Sequence, residues 1–357
     1  MTKPGRQLEF RSDTFTLPTP SMMAAIARAE LGDDVYGEDP TVRRLEELAA
    51  ETLGKEAACL VPSGTMANLT AILSHCPRGA KILVGDESDI YVYEAGGASV
   101  CGGVVYEPVP TQPDGRLLVE DLARALPPDP DDPQFAPAHL ICLESPHNRC
   151  GGLVLPLDYL QETWNFARTA DLAVHLDGAR LFNAAVALGV PAAEIARHAD
   201  SVQFCLSKGL SGPVGSVVAG EGIFIERVRR WRKLLGGGMR QAGIIAAAGI
   251  VALEEMVDRL ADDHSQAQRL ARGLALLPGL QLDPATVQTN VVLFRVTDDR
   301  FTWRTFLQAT RAAGLRLSEL GRGRIRAVTH SGVGPADIDE ALAIVDEVLR
   351  RGPLEGI

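Results

Sequence analysis

The sequence predicts an α/β protein: a large, mostly parallel sheet domain with helices on both faces, followed by a small α+β C-terminal domain. Three observations predict it. Short runs such as KILVGD and SVQFCLS are apolar throughout rather than alternating, as expected of parallel strands covered on both faces. Helical segments alternate with these runs through the middle of the chain. Beyond Pro278 the pattern changes to two strand-like and two helical segments in a different arrangement.

The elements follow in order. SMMAAIARAELG and TVRRLEELAAETLG read as helices flanking DDVYGEDP, a turn-rich link. AACLVP reads as a strand leading into the helix SGTMANLTAILSH, and KILVGD as the next strand. DPDDPQFAP, residues 129–137, is a Pro/Asp-rich loop too short to separate domains. HLICLES is a strand followed by the helix DYLQETWNFARTA. AVHLDGA is a strand, AAEIARHA a short helix and SVQFCLS a strand. One long helical stretch runs from Ile244 towards Leu276 and is broken by Pro278. TNVVLFRV and RIRAVTH are then strands, and TWRTFLQATRAAG and PADIDEALAIVDEVLRR helices. The domains expected are an N-terminal segment 1–36, a large domain 37–243, and a linker helix with the small domain 244–357.

A net charge of -11 argues against nucleic acid or an anionic membrane surface as partner. No apolar run is long enough to span a bilayer, and the start MTKPGRQLEF does not read as a signal peptide. The six cysteines are scattered, without zinc spacing, so no metal is expected and a reducing cytoplasm fits best.

Four features could carry chemistry. In PSGTMAN a strand runs into Ser63, Gly64, Thr65 and Met66, where a helix starts. Free N–H groups and the helix dipole make such a turn an anion site, although Ser and Thr are also ordinary N-caps. In HLDGAR, Asp177 ends an apolar strand at the edge where open α/β sheets bind ligands. Its carboxylate could hold a protonated ring nitrogen, with Arg180 reaching the same ligand; the alternative is a plain Asp-Gly turn. Lys208, in SVQFCLSKGLSGPVGS, is one of five lysines against thirty arginines. An amine at a strand end can lose its proton and attack a carbonyl, which a guanidinium cannot; the alternative is a loop lysine reaching water. Ser12 in RSDT, Arg240 in GGGMRQ and Arg326 in RIRAVTH complete the set, since guanidinium forks bind carboxylate or phosphate and otherwise form surface ion pairs. Together the order is the signal. A phosphate turn, an acid at a strand end and a lysine at the next strand end are what a pyridoxal-phosphate enzyme needs.

Here the residues match a family. RSDTFTLPT, GDDVYGEDPTV, PSGTMAN, YEAGGA, HLDGARLFNA, CLSKGLSGPVGS, RWRKLLGGGMRQAG and RAVTH run from residue 11 to 330. With them the chain resembles the low-specificity L-threonine aldolases, which have the type I, aspartate-aminotransferase-like fold. The resemblance implies the cofactor pyridoxal 5'-phosphate, captured by Lys208, with Asp177 on its ring nitrogen. Ser63, Gly64, Thr65 and Met66 match the phosphate turn. Arg180, Ser12 and Arg326 match the groups that hold the substrate carboxylate. Arg240 matches an arginine reaching the cofactor phosphate of a neighbouring subunit, so a homotetramer with sites at subunit interfaces is implied. The reaction implied is retro-aldol cleavage of a β-hydroxy amino acid to glycine and an aldehyde, with His147 orienting the β-hydroxyl or sharing in its deprotonation.

Two positions depart from the family pattern. Counting back five residues from Glu94, Asp89 stands where the family has a histidine stacked on the ring. Asp89 either faces the β-hydroxyl and helps remove its proton, or is a polar replacement that changes the pocket. The loss of the imidazole points towards bulky β-hydroxy amino acids such as phenylserine. Ser145-Pro146 replaces Asn-Thr just before His147. Competing readings are another type I enzyme, a β-eliminating lyase or an aminotransferase, and a degenerate cofactor-binding protein. No GxGxxG stands between a strand and a helix in the first half, which sets aside a nicotinamide enzyme.

Overall fold

The computed structural model describes residues 7–129 and 131–354; most of the N-terminal stretch read above as no signal peptide lies outside the described residues. The strands β1 (Ala57–Val61), β2 (Lys81–Gly85), β3 (Val105–Val109), β4 (Ala138–Glu144), β5 (Ala173–Asp177), β6 (Ser201–Cys205) and β7 (Ser216–Gly220) form one sheet. Their order is β1-β7-β6-β5-β4-β2-β3. The five strands from β6 to β3 are parallel, and β7 runs antiparallel to both β6 and β1.

The helix Gly64–His75 follows β1, and Leu157–Thr169 and Leu181–Leu188 join β4 to β5 and β5 to β6. A main core of Leu143, Leu176, Phe204, Leu45 and their neighbours fills the space between sheet and helices, with the first two helices, Pro20–Arg28 and Pro40–Leu53, packed into it. The second of these starts where Asp39 caps the Thr41 and Val42 amides, and ends where Gly54 turns left-handed.

The expected long helix from Ile244 to Leu276 is two helices, Gly243–Glu255 and Leu260–Ala275. Ala246, Ala248 and Ala252 of the first pack into the large core, whereas Ala267, Leu270, Ala271 and Leu274 of the second pack into the small one. A straight helix cannot serve both cores, so the chain turns at residues 256–259. The 243/244 division read from sequence therefore falls inside the large packing unit.

The small domain carries the antiparallel strands β8 (Leu280–Gln281), β9 (Val291–Val296), β10 (Ser318–Glu319) and β11 (Ile325–Val328), in order β10-β11-β9-β8. The helices Trp303–Ala312 and Pro335–Arg351 share its core. Leu8 and Phe10 also belong to that core, because Leu8–Glu9 pairs with Leu315–Arg316.

Candidate active site

The carboxyl ends of β1, β5 and β6 open onto one cavity of about 340 Å³. Its walls include Ser63, Gly64, Thr65, Asp89, Asp177 and Lys208, six of the residues singled out from sequence. Register explains part of this. Asp177 lies opposite Glu144 on β4 and Gln203 on β6, so three polar side chains meet at one level of the sheet.

The turn after β1 is built to approach a ligand. Ser63 caps the helix, its Oγ accepting the Met66 N–H at 3.2 Å. The Gly64 and Thr65 amides precede the helix's own bonding and line the cavity with Ser63. A Cβ on Gly64 would stand 2.9 Å from Cys205 Sγ, so only glycine lets the turn lie this close to β6. The Met66 thioether packs against Gly237, where a Cβ would overlap it.

Asp177 is buried and fully held. Its Oδ1 accepts from Ala179 N–H at 3.0 Å and Gln203 Nε2 at 2.5 Å, and its Oδ2 accepts from Asn68 Nδ2 at 2.8 Å. Burial raises its pKa and the nearby Lys208 opposes the rise. A cationic ring N–H placed at this carboxylate would act in the same sense as Lys208. Lys208 follows β6; Thr16 Oγ1 donates to its carbonyl at 2.9 Å, while its ammonium has no partner among the described residues. A helix start, an acid and an unengaged amine facing one cavity fit the phosphate, ring nitrogen and aldehyde of pyridoxal phosphate.

Arg180, Arg326, Ser12 and His147 stand just behind the walls. Arg180 Nε and Nη2 donate to the two oxygens of Asp13 at 2.7 Å each, both residues being buried. Burial alone would raise Asp13, but the guanidinium outweighs it and holds the carboxyl far below its usual range. Arg326 donates through Nη1 to Asn148 Oδ1 at 2.7 Å and through Nη2 to the Arg11 carbonyl at 3.0 Å; burial, then Arg180, lowers its pKa. Ser12 caps the turn of residues 13–15, whose Thr14 lines the cavity. His147 is buried with no hydrogen bond to its Nδ1, which lies 3.9 Å from Glu144 Oε1, and burial pushes its pKa down to about 4. The peptide bond before Pro146 is cis. Arg240 stands apart on the exposed surface, paired with Asp33 at 2.9 Å.

Asp89 lines the cavity at the head of a short helix, Asp89–Val92. Asn148 Nδ2 donates to both of its oxygens at 3.1 Å, and its own amide donates to Glu144 at 2.8 Å. Burial, with Asp89 and Asp177 nearby, raises the Glu144 carboxyl well above its ordinary value. Glu94, also in the wall, is raised the same way, by burial and then by Asp177.

Sequence reasoning missed Asn68, Gln203, Glu94, Asp13 and Asn148. All but Asn148 stood inside quoted stretches without a role. A carboxylate in RSDT beside a candidate arginine could have pointed to Asp13, but 167 residues separate the two.

Known proteins resemble this chain over nearly its whole length. The family described as Beta-eliminating lyase matches residues 9–297. A probable low-specificity L-threonine aldolase 2 of Arabidopsis thaliana is 43% identical over 96% of this chain and 97% of its own. The low specificity L-threonine aldolase of Escherichia coli K12 is 44% identical over 94% and 97%. Among solved structures, a threonine aldolase of Leishmania major superposes with TM-score 0.79 at 21% identity, covering 96% of this chain and 99% of that one. An SPT solved with PLP reaches 0.74 at 19% identity, covering 97% and 88%. The fold is the type I fold of pyridoxal-phosphate enzymes. The chain belongs to the β-eliminating lyase family, and within it to the low-specificity L-threonine aldolases.

Proposed function

We infer that this chain cleaves L-β-hydroxy-α-amino acids, threonine and allo-threonine among them, to glycine and an aldehyde. One observation carries the reading: Lys208, Asp177 and the Ser63–Thr65 turn face a single cavity. The Gly64 and Thr65 amides would hold the phosphate of pyridoxal phosphate, Lys208 would bind its aldehyde carbon, and Asp177 would accept the hydrogen bond of its ring nitrogen. When bound, pyridoxal phosphate supplies a ring that takes up the electron pair left on Cα as the Cα–Cβ bond breaks.

The rest is done by the chain. Arg180, set in place by Asp13, and Arg326, set by Asn148, hold the substrate carboxylate together with Ser12. Two groups serve the β-hydroxyl proton. Asp89 lines the cavity, and His147, kept neutral by burial, stands behind it with no hydrogen bond to its Nδ1. Arg240, exposed and with its guanidinium paired to the Asp33 side chain, is offered to the cofactor phosphate of a neighbouring subunit in a homotetramer. The free cysteines suit the reducing cytoplasm.

Aldehyde release from L-threonine, L-allo-threonine, their D isomers and phenylserine tests the reading, with Lys208→Ala as the blank. Glycine and aldehyde in equal amounts are expected from the L substrates. Membership of the β-eliminating lyase family favours one second reading, β-elimination. Keto acid and ammonia in place of glycine would establish it and overturn the first.

A further inference from the structure

Behind Asp177 a line of polar side chains runs away from the cavity, buried except at its far end, where His75 is partly exposed. His75 Nε2 lies 2.8 Å from Ser201 Oγ, which lies 2.9 Å from His175 Nδ1; His175 Nε2 lies 3.0 Å from Asn68 Oδ1. Asn68 Nδ2 donates to Asp177 Oδ2 and to Glu94 Oε1, at 2.8 Å each. Asn68 is 1% exposed, and His175 and Ser201 are 0% exposed. The His75 ring is stacked on Phe224 at 4.4 Å.

One arrangement of protons satisfies every link. Asn68 must turn its NH2 to the carboxyl groups, because its carbonyl oxygen there would face two acidic side chains. Its Oδ1 then accepts from His175 Nε2–H. A neutral imidazole protonated at Nε2 has a bare Nδ1, so the Ser201 hydroxyl must donate to it. The Ser201 oxygen in turn accepts from His75 Nε2–H. The arrangement needs neutral rings, and burial supplies them, pushing His75 and His175 down to about 3. Arg168 and Arg227 beside His75 act in the same sense. On the cavity side Lys208 and Asp89 face Asp177, alongside Glu94.

We propose that His75, Ser201, His175 and Asn68 form a positioning chain that fixes the hydrogen bond received by Asp177, keeping its carboxylate anionic and aimed at the cofactor's ring nitrogen. The proposal rests on the aldolase reading and adds residues that the reaction does not touch. Breaking the chain frees the Asn68 amide to turn. Asp177, 2% exposed, then loses a donor, and the ring nitrogen gives up its proton more readily.

The test loads wild type, Ser201→Ala, Ser201→Thr and His75→Phe with pyridoxal phosphate labelled with 15N at the ring nitrogen. It reads the 15N shift against pH, and kcat and KM on L-threonine. Ser201→Ala should lower the pH at which the ring nitrogen deprotonates by about one unit and reduce kcat about tenfold, leaving KM within about twofold. Ser201→Thr, which keeps the hydroxyl, should restore both, and His75→Phe should give a smaller shift of the same sign. Should Ser201→Ala fold poorly, His75→Phe decides, since it keeps a ring on Phe224. Wild-type titration in the folded variants lacking a link overturns the proposal. If wild type forms no glycine from L-threonine, the aldolase reading falls, while the 15N comparison still judges the chain.

Discussion

Asp13→Asn is expected to cost about 3–5 kcal/mol of folding stability, the penalty for breaking a buried ion pair from one side. Asp13 is 0% exposed, and each of its oxygens takes a guanidinium N–H at 2.7 Å. Asn290 Nδ2 adds a third donor to Oδ2, at 3.1 Å. An asparagine keeps the shape but not the charge. Its NH2 must face either the guanidinium or Asn290, so a donor meets a donor inside the protein. Arg180 is then left as a buried cation without a counter-ion and shifts. Hydrogen bonds to charged groups contribute about 1.5–3 kcal/mol, so misplacing Arg180 should raise KM for L-threonine roughly tenfold to hundredfold. The pH behaviour is fixed in sign. The folded-state pKa of Asp13 is depressed below its unfolded value of about 3.9. Its contribution is therefore complete above that pH and is lost only as pH falls through the folded-state value. Guanidinium unfolding and kcat/KM measured from about pH 5 to 9 should show a constant gap between variant and wild type. A variant that unfolds within about 1 kcal/mol of wild type, with unchanged KM, would refute the reasoning.

Gly64→Ala places a Cβ 2.9 Å from Cys205 Sγ, and overpacking of that kind costs about 1–3 kcal/mol; fluorescence titration of the apoenzyme should show pyridoxal-phosphate affinity reduced roughly tenfold. His147 is held neutral, with a folded-state pKa of about 4 against about 6.5 unfolded. The unfolded chain thus protonates first, so His147 withdraws about 3 kcal/mol of stability as pH falls from about 6.5 to 4, and His147→Asn should flatten the acid limb of a stability–pH curve by that amount. Arg240→Ala removes an exposed pair, so the melting temperature should barely move, while cofactor affinity drops if the arginine serves a neighbouring site; unchanged affinity disproves that role. Asp89→His is expected to shift kcat/KM from phenylserine towards threonine. Identical preference in both proteins would show that position 89 does not set the aldehyde side.

Most of the large sheet was legible because its inner strands are uninterrupted apolar runs, and those that were missed explain themselves. Val105–Val109 is an edge strand carrying Glu107 and Pro108, which reads as a loop. Ser216–Gly220 follows a glycine-rich turn and is five residues long. The helix Leu181–Leu188 is too apolar around its circumference to show a helical period. In the candidate site, Lys208, Asp177 and Arg180 were visible because their types are unusual where they stand. Their supports were not. Gln203 and His175 sit in apolar runs, and nothing local says that register will bring Gln203 beside Asp177. Asp13 matters only because the fold closes 167 residues between it and Arg180.

Residues 8–16 tie the segment 315–330 to the site. The Phe10 carbonyl accepts from Val328 N–H at 2.8 Å, the Arg11 carbonyl accepts from Ser318 and Arg326, and the Glu9 carbonyl lies 3.0 Å from His330 Nε2. A few residues on, Asp13 grips Arg180 and Thr16 bonds to the Lys208 carbonyl. A ribosome makes residues 8–16 long before residues 315–330. Until the later segment has emerged, Asp13 and Thr16 lack the strand partners that hold their segment in place. Contacts of such long sequence separation form late and slowly. Assembly of the candidate site therefore waits for residues 315–330: a chain cut short before them can build most of the sheet, yet lacks the strands that hold Arg326 and the segment of Asp13 in place.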